Sequence, residues 1–392
     1  IMIVKILIPI LLLLLVSDVY VYLHFLRYMK RNKIAAITAW AAQSVAMVAY
    51  SVVMAVQPDF APADMDCLNF YLLLLGVWAV PKFVFTVCSI LGWGHCVYHK
   101  TKTNWGNYAG ILAGVFLAVV CVYGFTKGFN KVTVRHVTFE SADLPEAFDG
   151  YRIVQFSDAH VGTYTGQRAF MLKVVADSIN SQKADMIAFT GDLQNMRPSE
   201  LYQHEKTLAS LKAKDGVFSV LGNHDYAYYV KATEAERRHN CQEMKDVQRR
   251  MGWKLLLNDN CVIRRGNDSI VVAGMEFEGE SPRVPSFGNL KKTLHGVNQK
   301  GAFILMLQHD PTSWRTDILP HSTSQLTLSG HTHAGQMKFF GWSPASLKYD
   351  EWGGLYTEGR RSINVSCGVG GFVPFRLGCP GEIVVIELKK HK

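Results

Sequence analysis

Hydrophobic and polar residues follow two different patterns in this chain of 392 residues. In the first third, four apolar stretches (3–25, 34–56, 69–93 and 108–125) run with few charges. Each is close to the ~20 residues that a helix needs to cross a bilayer, so the pattern predicts four membrane spans. From residue 131 the pattern changes. Residues 131–140 alternate in the manner of a strand, and short apolar runs recur at 151–156, 186–189, 217–220, 270–273, 303–307, 325–328, 363–366 and 383–388. Helical spacing occupies 167–181, 198–213 and 242–251. Strands interleaved with helices predict an α/β domain, and their number predicts more than one sheet. The expected division is a four-helix transmembrane domain over 1–126, a short juxtamembrane strand connection over 127–150 and a second folded domain over 151–392.

Charges refine the membrane third. The first stretch lacks a small-residue cleavage site, and a basic run from Arg27 to Lys33 follows it, which reads as an anchor. Arg27, Lys30, Arg31, Lys33, Lys100 and Lys102 fall in the loops after the first and third spans, whereas residues 57–68 carry Asp59, Asp64 and Asp66 and no base. Lys5, Lys127, Lys131 and Arg135 fall on the other side. The larger basic group places the first and third loops in the cytoplasm and everything after the fourth span outside. For a bacterial inner membrane that side is the periplasm. Asp18 and Lys82 lie inside the first and third stretches, and a charge there is costly, so the two are expected to pair. Gly106, Gly110 and Gly114 form a small-residue stripe on the fourth stretch, suited to close helix approach and to a homo-oligomer.

Composition agrees with a chain partly in lipid: 49% of residues are hydrophobic, 19% are charged and the mean hydropathy is +0.08. The net charge of +9 is diffuse beyond the juxtamembrane run. It fits lipid headgroups or phosphate substrates, and no nucleic-acid partner is expected. Cys241, Cys261, Cys367 and Cys379 are an even set that permits disulfides in an oxidising compartment.

The candidate chemistry stands at the ends of the strand-like runs. Asp158 and His160 follow 151–156, and Asp192 follows 186–189. Asn223, His224 and Asp225 follow 217–220. His309 follows 303–307, and His331 and His333 follow 325–328. Carboxyl ends of strands are the usual site location in α/β sheets, and Gly191, Gly222 and Gly330 are expected to turn the backbone sharply there. Oxygen and imidazole donors without thiolate suit Mn, Fe or Zn. Seven candidate ligands (Asp158, His160, Asp192, Asn223, His309, His331 and His333) exceed the needs of one ion and suit two that share a carboxylate and clamp a phosphate. Asp-x-His and His-x-His place both side chains on one face of an extended segment. Nearby aromatic residues (Tyr226, Tyr228, Tyr229, Phe339, Phe340, Trp342, Phe372 and Phe375) suggest an acyl-chain groove or bilayer contact, with Tyr226 and Trp342 as candidate substrate contacts. The fork of Arg376 suits a phosphate.

The order Asp-Ala-His, Gly-Asp, Gly-Asn-His-Asp, His, Gly-His-Thr-His resembles the calcineurin-like metallophosphoesterase superfamily over about residues 144–388. Segments 144–154, 330–336, 354–356 and 374–377 are similar to its membrane-associated bacterial branch, which includes enzymes similar to UDP-2,3-diacylglucosamine pyrophosphatases. The resemblance implies a two-sheet αββα metallophosphoesterase sandwich over 151–392. It implies one divalent ion, Mn foremost, on Asp158, His160, Asp192 and His333. A second would lie on Asp192, Asn223, His309 and His331, with Asp192 bridging. It further implies hydrolysis by a metal-bridging hydroxide, with His224 as proton donor and Asp225 orienting the other nitrogen of that ring. The chain departs from the pattern at Gln194 and Asn195, where relatives often carry an acidic residue, and at 275–277, where an aspartate is common.

Joined to the membrane third, these features predict a membrane-anchored two-metal phosphoesterase. Its expected partners are membrane lipids, and its expected substrate is a phosphorylated lipid or lipid-linked nucleotide. A second enzyme reading is a cytoplasm-facing UDP-2,3-diacylglucosamine pyrophosphatase. A reading from another class is a non-catalytic scaffold or receptor that keeps metals for shape, against which the retained His224 argues. A transporter has little support from one buried charge pair.

Overall fold

The computed structural model describes residues 6–62 and 64–391. Residues 3–5 of the first expected span, Lys5 among them, lie outside the described residues. The chain divides into two compact units, Ile1–Thr126 and Lys127–Lys392.

The first unit holds four helical stretches long and apolar enough to cross a membrane: Leu7–Tyr28, Lys33–Ala55, Met65–His99 and Trp105–Gly128. Their regular parts are α1 (Leu7–His24), α2 (Lys33–Ala55), α3 (Met65–Leu74), α4 (Val80–His99) and α5 (Trp105–Tyr123). A π-helical turn, Leu75–Ala79, joins α3 to α4. Pro81 has no amide hydrogen and its ring crowds the carbonyl one turn back, so the turn before it widens.

Inside this unit the expected charge pair forms: Lys82 Nζ donates to Asp18 Oδ1 at 2.6 Å. Tyr20 and Ser89 hydrogen-bond across the same two helices at 2.7 Å, and Tyr71 donates to Ser51 across α2 and α3 at 2.9 Å. The glycine stripe is not free for a second copy. It is spent within the chain, on α4. A Cβ at Gly106 would collide with the carbonyl of Cys88, one at Gly110 would lie 2.9 Å from Phe85 Cα, and one at Gly114 3.2 Å from the carbonyl of Pro81. The stripe on which a homo-oligomer was expected is thus packed against α4 of the same chain.

The second unit contains, among the described residues, twelve strands: β1 (Val132–Ser141), β2 (Arg152–Phe156), β3 (Met186–Phe189), β4 (Val217–Ser219), β5 (Lys254–Leu255), β6 (Asp259–Arg265), β7 (Asp268–Gly274), β8 (Phe303–Leu307), β9 (Leu326–Ser329), β10 (Gly354–Glu358), β11 (Arg361–Val365) and β12 (Gly381–Lys390). They form two six-stranded sheets, ordered β1-β12-β2-β3-β4-β5 and β10-β11-β9-β8-β7-β6. Strand β8 shows how the pattern builds the layers. Phe303, Leu305 and Leu307 enter the core between the sheets, while Ile304 and Met306 enter the outer core with Trp314 and Ile318. On the outer face of the first sheet, Val154, Phe156, Ile187 and Phe189 pack against α6 (Ala169–Ser181) and α8 (Glu234–Arg250). The result is the expected αββα sandwich.

Three expectations need correction. Residues 127–150 are not a mere connection, because β1 pairs in parallel with β12 over ten residues, from Val132 with Gly381 to Ser141 with Lys390. The helix expected over 198–213 is broken into a turn at Pro198–Leu201 and α7 (Glu205–Ala209). Glu200 accepts from the amides of Asn195, Met196 and Arg197, so its turn is tied to the preceding loop. The helix expected over 242–251 begins eight residues earlier, at Glu234. Its polar first half hid it, although Thr233 and Glu236 form a capping box there.

Gly110→Val should lower the melting temperature in detergent, by roughly 1–3 kcal/mol of stability for an overpacked contact. Leu112→Val, on the exposed face of the same helix, should leave it nearly unchanged. Equal effects from the two substitutions would contradict the packing described.

Candidate metal centre

Five strand ends deliver the seven predicted donors to one place. Asp158 and His160 follow β2, Asp192 follows β3, Asn223 follows β4, His309 follows β8, and His331 and His333 follow β9. Three overlapping clusters result: Asp158 with His160 and His333; His160 with Asp192 and His224; and Asp192 with His309 and His331. Asp192 belongs to two of them. Its Oδ2 lies 3.2 Å from His309 Nε2 and 3.6 Å from His160 Nε2, while its Oδ1 accepts from the amide of His224 at 2.8 Å. Asp158 Oδ1 lies 3.3 Å from His333 Nε2, and both its oxygens lie 3.1 Å from the amide of His331.

The backbone is bent to make this possible. Asp158, His160, Asp192, His331 and His333 all have positive φ, between 45° and 72°. Side chains avoid that region, and five such residues in one site mark strain held by the surrounding fold. Gly191 also has positive φ, at 98°. Gly222 does not turn the chain: its φ is −93°. It is required for space, because a Cβ there would strike Asp192 Oδ1.

The donors suit divalent ions. Asn223 Oδ1, His160 Nε2 and His333 Nδ1 are buried without a hydrogen-bond partner among the described residues. Leaving such atoms unpaired costs about 1–3 kcal/mol each, so the arrangement calls for a further partner. Burial lowers His160 and His333 to about 3, and it lowers His331 as well. These rings are neutral near pH 7, with lone pairs ready for a cation. Burial also disfavours charge on His309 and Asp192, but their mutual attraction outweighs it. His309 rises to about 10, and Asp192 is held well below the usual carboxylate range.

The comparisons with known proteins agree with this geometry. Residues 151–335 match the family model described as calcineurin-like phosphoesterase, and residues 4–129 match one described as probable calcineurin-like phosphoesterase, transmembrane domain. An uncharacterized metallophosphoesterase of Bacillus subtilis, YkuE, is 31% identical over 71% of this chain and 94% of its own length. The chain belongs to the calcineurin-like metallophosphoesterases. A Danio rerio transmembrane protein with metallophosphoesterase domain is 30% identical over 71% of this chain, which spans 62% of that relative. Bacterial and animal relatives both occur, so the likeness is not confined to a bacterial branch. Among solved structures, a phosphopantetheinyl hydrolase from Mycobacterium tuberculosis is 12% identical, covering 58% of this chain and 91% of its own, with a TM-score of 0.36.

In this metallophosphoesterase the structure corrects three of the expected roles. Asp225 does not touch the ring of His224. It is buried, and its carboxylate accepts from the amides of Asp192, Leu193 and Gly222 at 2.9 Å and of Gln194 at 3.3 Å. His224 Nδ1 lies instead 2.5 Å from the carbonyl of Asn195. Arg376 is buried and donates to the carbonyls of Cys367, Gly368, Gly370, Cys379 and Pro380, so it is unavailable to a phosphate. Tyr226 is buried against Phe287, with its hydroxyl on Glu276. Trp342 is exposed on a short turn with Phe339 and Phe340.

Of the aromatic residues named above, Tyr229 and Phe372 reach His224, and Asp310 and Tyr349, which were not among the expected residues, face His331. Tyr229 stacks on His224 with centroids 4.0 Å apart and its hydroxyl accepts from Asn223 Nδ2 at 2.7 Å. Phe372 lies 5.6 Å from the same imidazole. Asp310 and Tyr349 face His331 Nε2 at 3.4 and 3.1 Å. A carboxylate behind a ligating histidine is a common support, and Asp310, adjacent to His309, was legible on that ground.

Metal analysis of purified protein should return about two divalent transition ions per chain, given the shared carboxylate. Asp192→Ala should lose most of both, whereas Asp225→Asn should keep metal affinity closer to wild type and lose about 1–3 kcal/mol of stability through its unmatched amides. Full metal retention by Asp192→Ala would contradict a shared ligand.

Proposed function

We propose that this metallophosphoesterase hydrolyses a phosphate ester or pyrophosphate bond of a phosphorylated lipid or lipid-linked nucleotide at a membrane surface. The observation that carries the reading is the set of three overlapping clusters that joins Asp158, His160, Asp192, His309, His331 and His333, with His224 beside them. The substrate class is supported by the membrane-length helices of the same chain. The last of them ends at Gly128 and β1 begins at Val132, so a short segment ties the domain to the bilayer.

Bound at these residues, divalent ions (Mn foremost, with Fe or Zn also suited) would neutralise phosphoryl oxygens and make water acidic enough to react. Asp158, His160, Asp192 and His333 would hold one, and Asp192, Asn223, His309 and His331 the other. The remaining work falls to neighbouring side chains. His224 keeps Nδ1–H on the carbonyl of Asn195, so Nε2 is the nitrogen that gives its proton to the leaving oxygen. Tyr229 fixes the plane of that ring. Tyr229 and Phe372 also offer apolar surface next to it, which suits a substrate with an apolar part. The exposed Phe339, Phe340 and Trp342 suit contact with lipid. Loop charges favour an external, periplasm-like placement of this domain; protease access in sealed vesicles separates that from the cytoplasm-facing pyrophosphatase reading.

A panel of phosphorylated lipids and nucleotide-lipids, offered to Mn-loaded protein and scored for phosphate or nucleotide release, tests the substrate class. His224→Ala should lower kcat by ~10²–10⁴ on alkyl esters, whose leaving oxygen needs a proton. It should lower it far less on a nitrophenyl ester, whose leaving group needs none. Unchanged hydrolysis of both would remove His224 from the reaction, and no hydrolysis of any panel member by metal-loaded wild-type protein would return the scaffold reading.

A further inference from the structure

Cys367 and Cys379 share one small buried cluster with Ala334, against which Trp352 packs. The proposed hydrolysis uses neither. Both are free thiols in the structure, packed in that one cluster. Arg376 fixes their backbones together: its guanidinium donates to the carbonyl of Cys367 at 2.9 Å and to that of Cys379 at 3.1 Å. The pair also backs the metal centre. Cys379 Sγ lies 3.8 Å from the carbonyl of His333. Gly368, next to Cys367, is so close to the centre that a Cβ on it would lie 2.8 Å from Asp158 Cβ and 3.2 Å from His333 Nδ1. The chain then crosses directly under Asp158, with the amide of Gly370 on the Asp158 carbonyl at 3.0 Å.

From this geometry we infer that Cys367 and Cys379 form a thiol–disulfide site, closed by small-molecule disulfides and reopened by thiols. One cysteine, as thiolate, attacks the reagent disulfide and expels one reagent thiol. The second cysteine attacks the resulting mixed disulfide at the protein sulfur and expels the other. The two cysteine protons end on the two released thiols, and the reagent takes up the two electrons. The new bond closes the loop that contains Arg376. It ties the segment under Asp158 to the residue packed on His333, so local opening of the centre becomes rarer and bound metal leaves more slowly.

The test uses the full chain in detergent, loaded with Mn and treated with a dipyridyl disulfide. After denaturation, alkylation and digestion, mass spectrometry should find a peptide linked through Cys367 and Cys379, with Cys241 and Cys261 alkylated. Oxidation should raise the melting temperature by several degrees and slow metal loss to a chelator several-fold, and a reducing thiol should reverse both. Cys367→Ser should abolish all of these responses; Cys379→Ser is the second variant should the first fail to fold. Alkylation of both residues after the oxidant, or a persistent mixed disulfide on either, overturns the site. A linked peptide with unchanged metal loss overturns its effect on the centre.

Discussion

The centre depends on one buried charge. Asp192 is only 2% exposed, yet it is held ionised. A carboxylate in that position is costly unless compensated on every side. Here the compensation comes from imidazoles on separate strand ends, from the amide of His224 and, by family and by donor chemistry, from divalent ions. The positive φ values of five donors follow from the same demand. Side chains leaving different strands reach one point only if the backbone bends beyond its comfortable range, and the two sheets behind supply the rigidity that keeps it bent.

Around this core the chain uses a second set of charges as anchors for loops. Asp225 gathers four amides, Glu200 gathers three, and Arg376 gathers five carbonyls. Each satisfies backbone groups that an irregular loop would otherwise leave unpaired. Asp225 shows the cost of the device. Burial and the nearby Asp192 push its carboxyl up to about 7, against the pull of the amides it binds. Such groups look catalytic in a sequence because they are charged and stand in motifs. Their work is to hold Asn195, Gly368 and the donors in place.

The membrane unit follows a different economy. Among the described residues its polar contacts are few and internal: one ion pair and a few hydroxyl bonds join helices, and glycines let α4 and α5 approach closely. In hydrocarbon no apolar driving force separates inside from outside, so small residues and paired polar groups carry the specificity of packing.

The sequence by itself determined the periodicities and the chemistry available. The uninterrupted apolar run of β8 defined a strand buried on both faces, apolar length defined four spans, and the residue types after β2, β3, β4, β8 and β9 defined a thiolate-free set of oxygen and imidazole donors. All of these are local properties, repeated within a few residues. Partner choice was not local. Asp225 is adjacent to His224 in the chain but bonds amides; Tyr229, not Tyr226, reaches the imidazole; Arg376 binds carbonyls from 367–370 and 379–380 instead of a ligand; and the stripe at Gly106, Gly110 and Gly114 meets α4. Only the tertiary structure decided these, because a polar group takes whichever partner the fold brings within about 3 Å, and that distance is set by segments far apart in sequence.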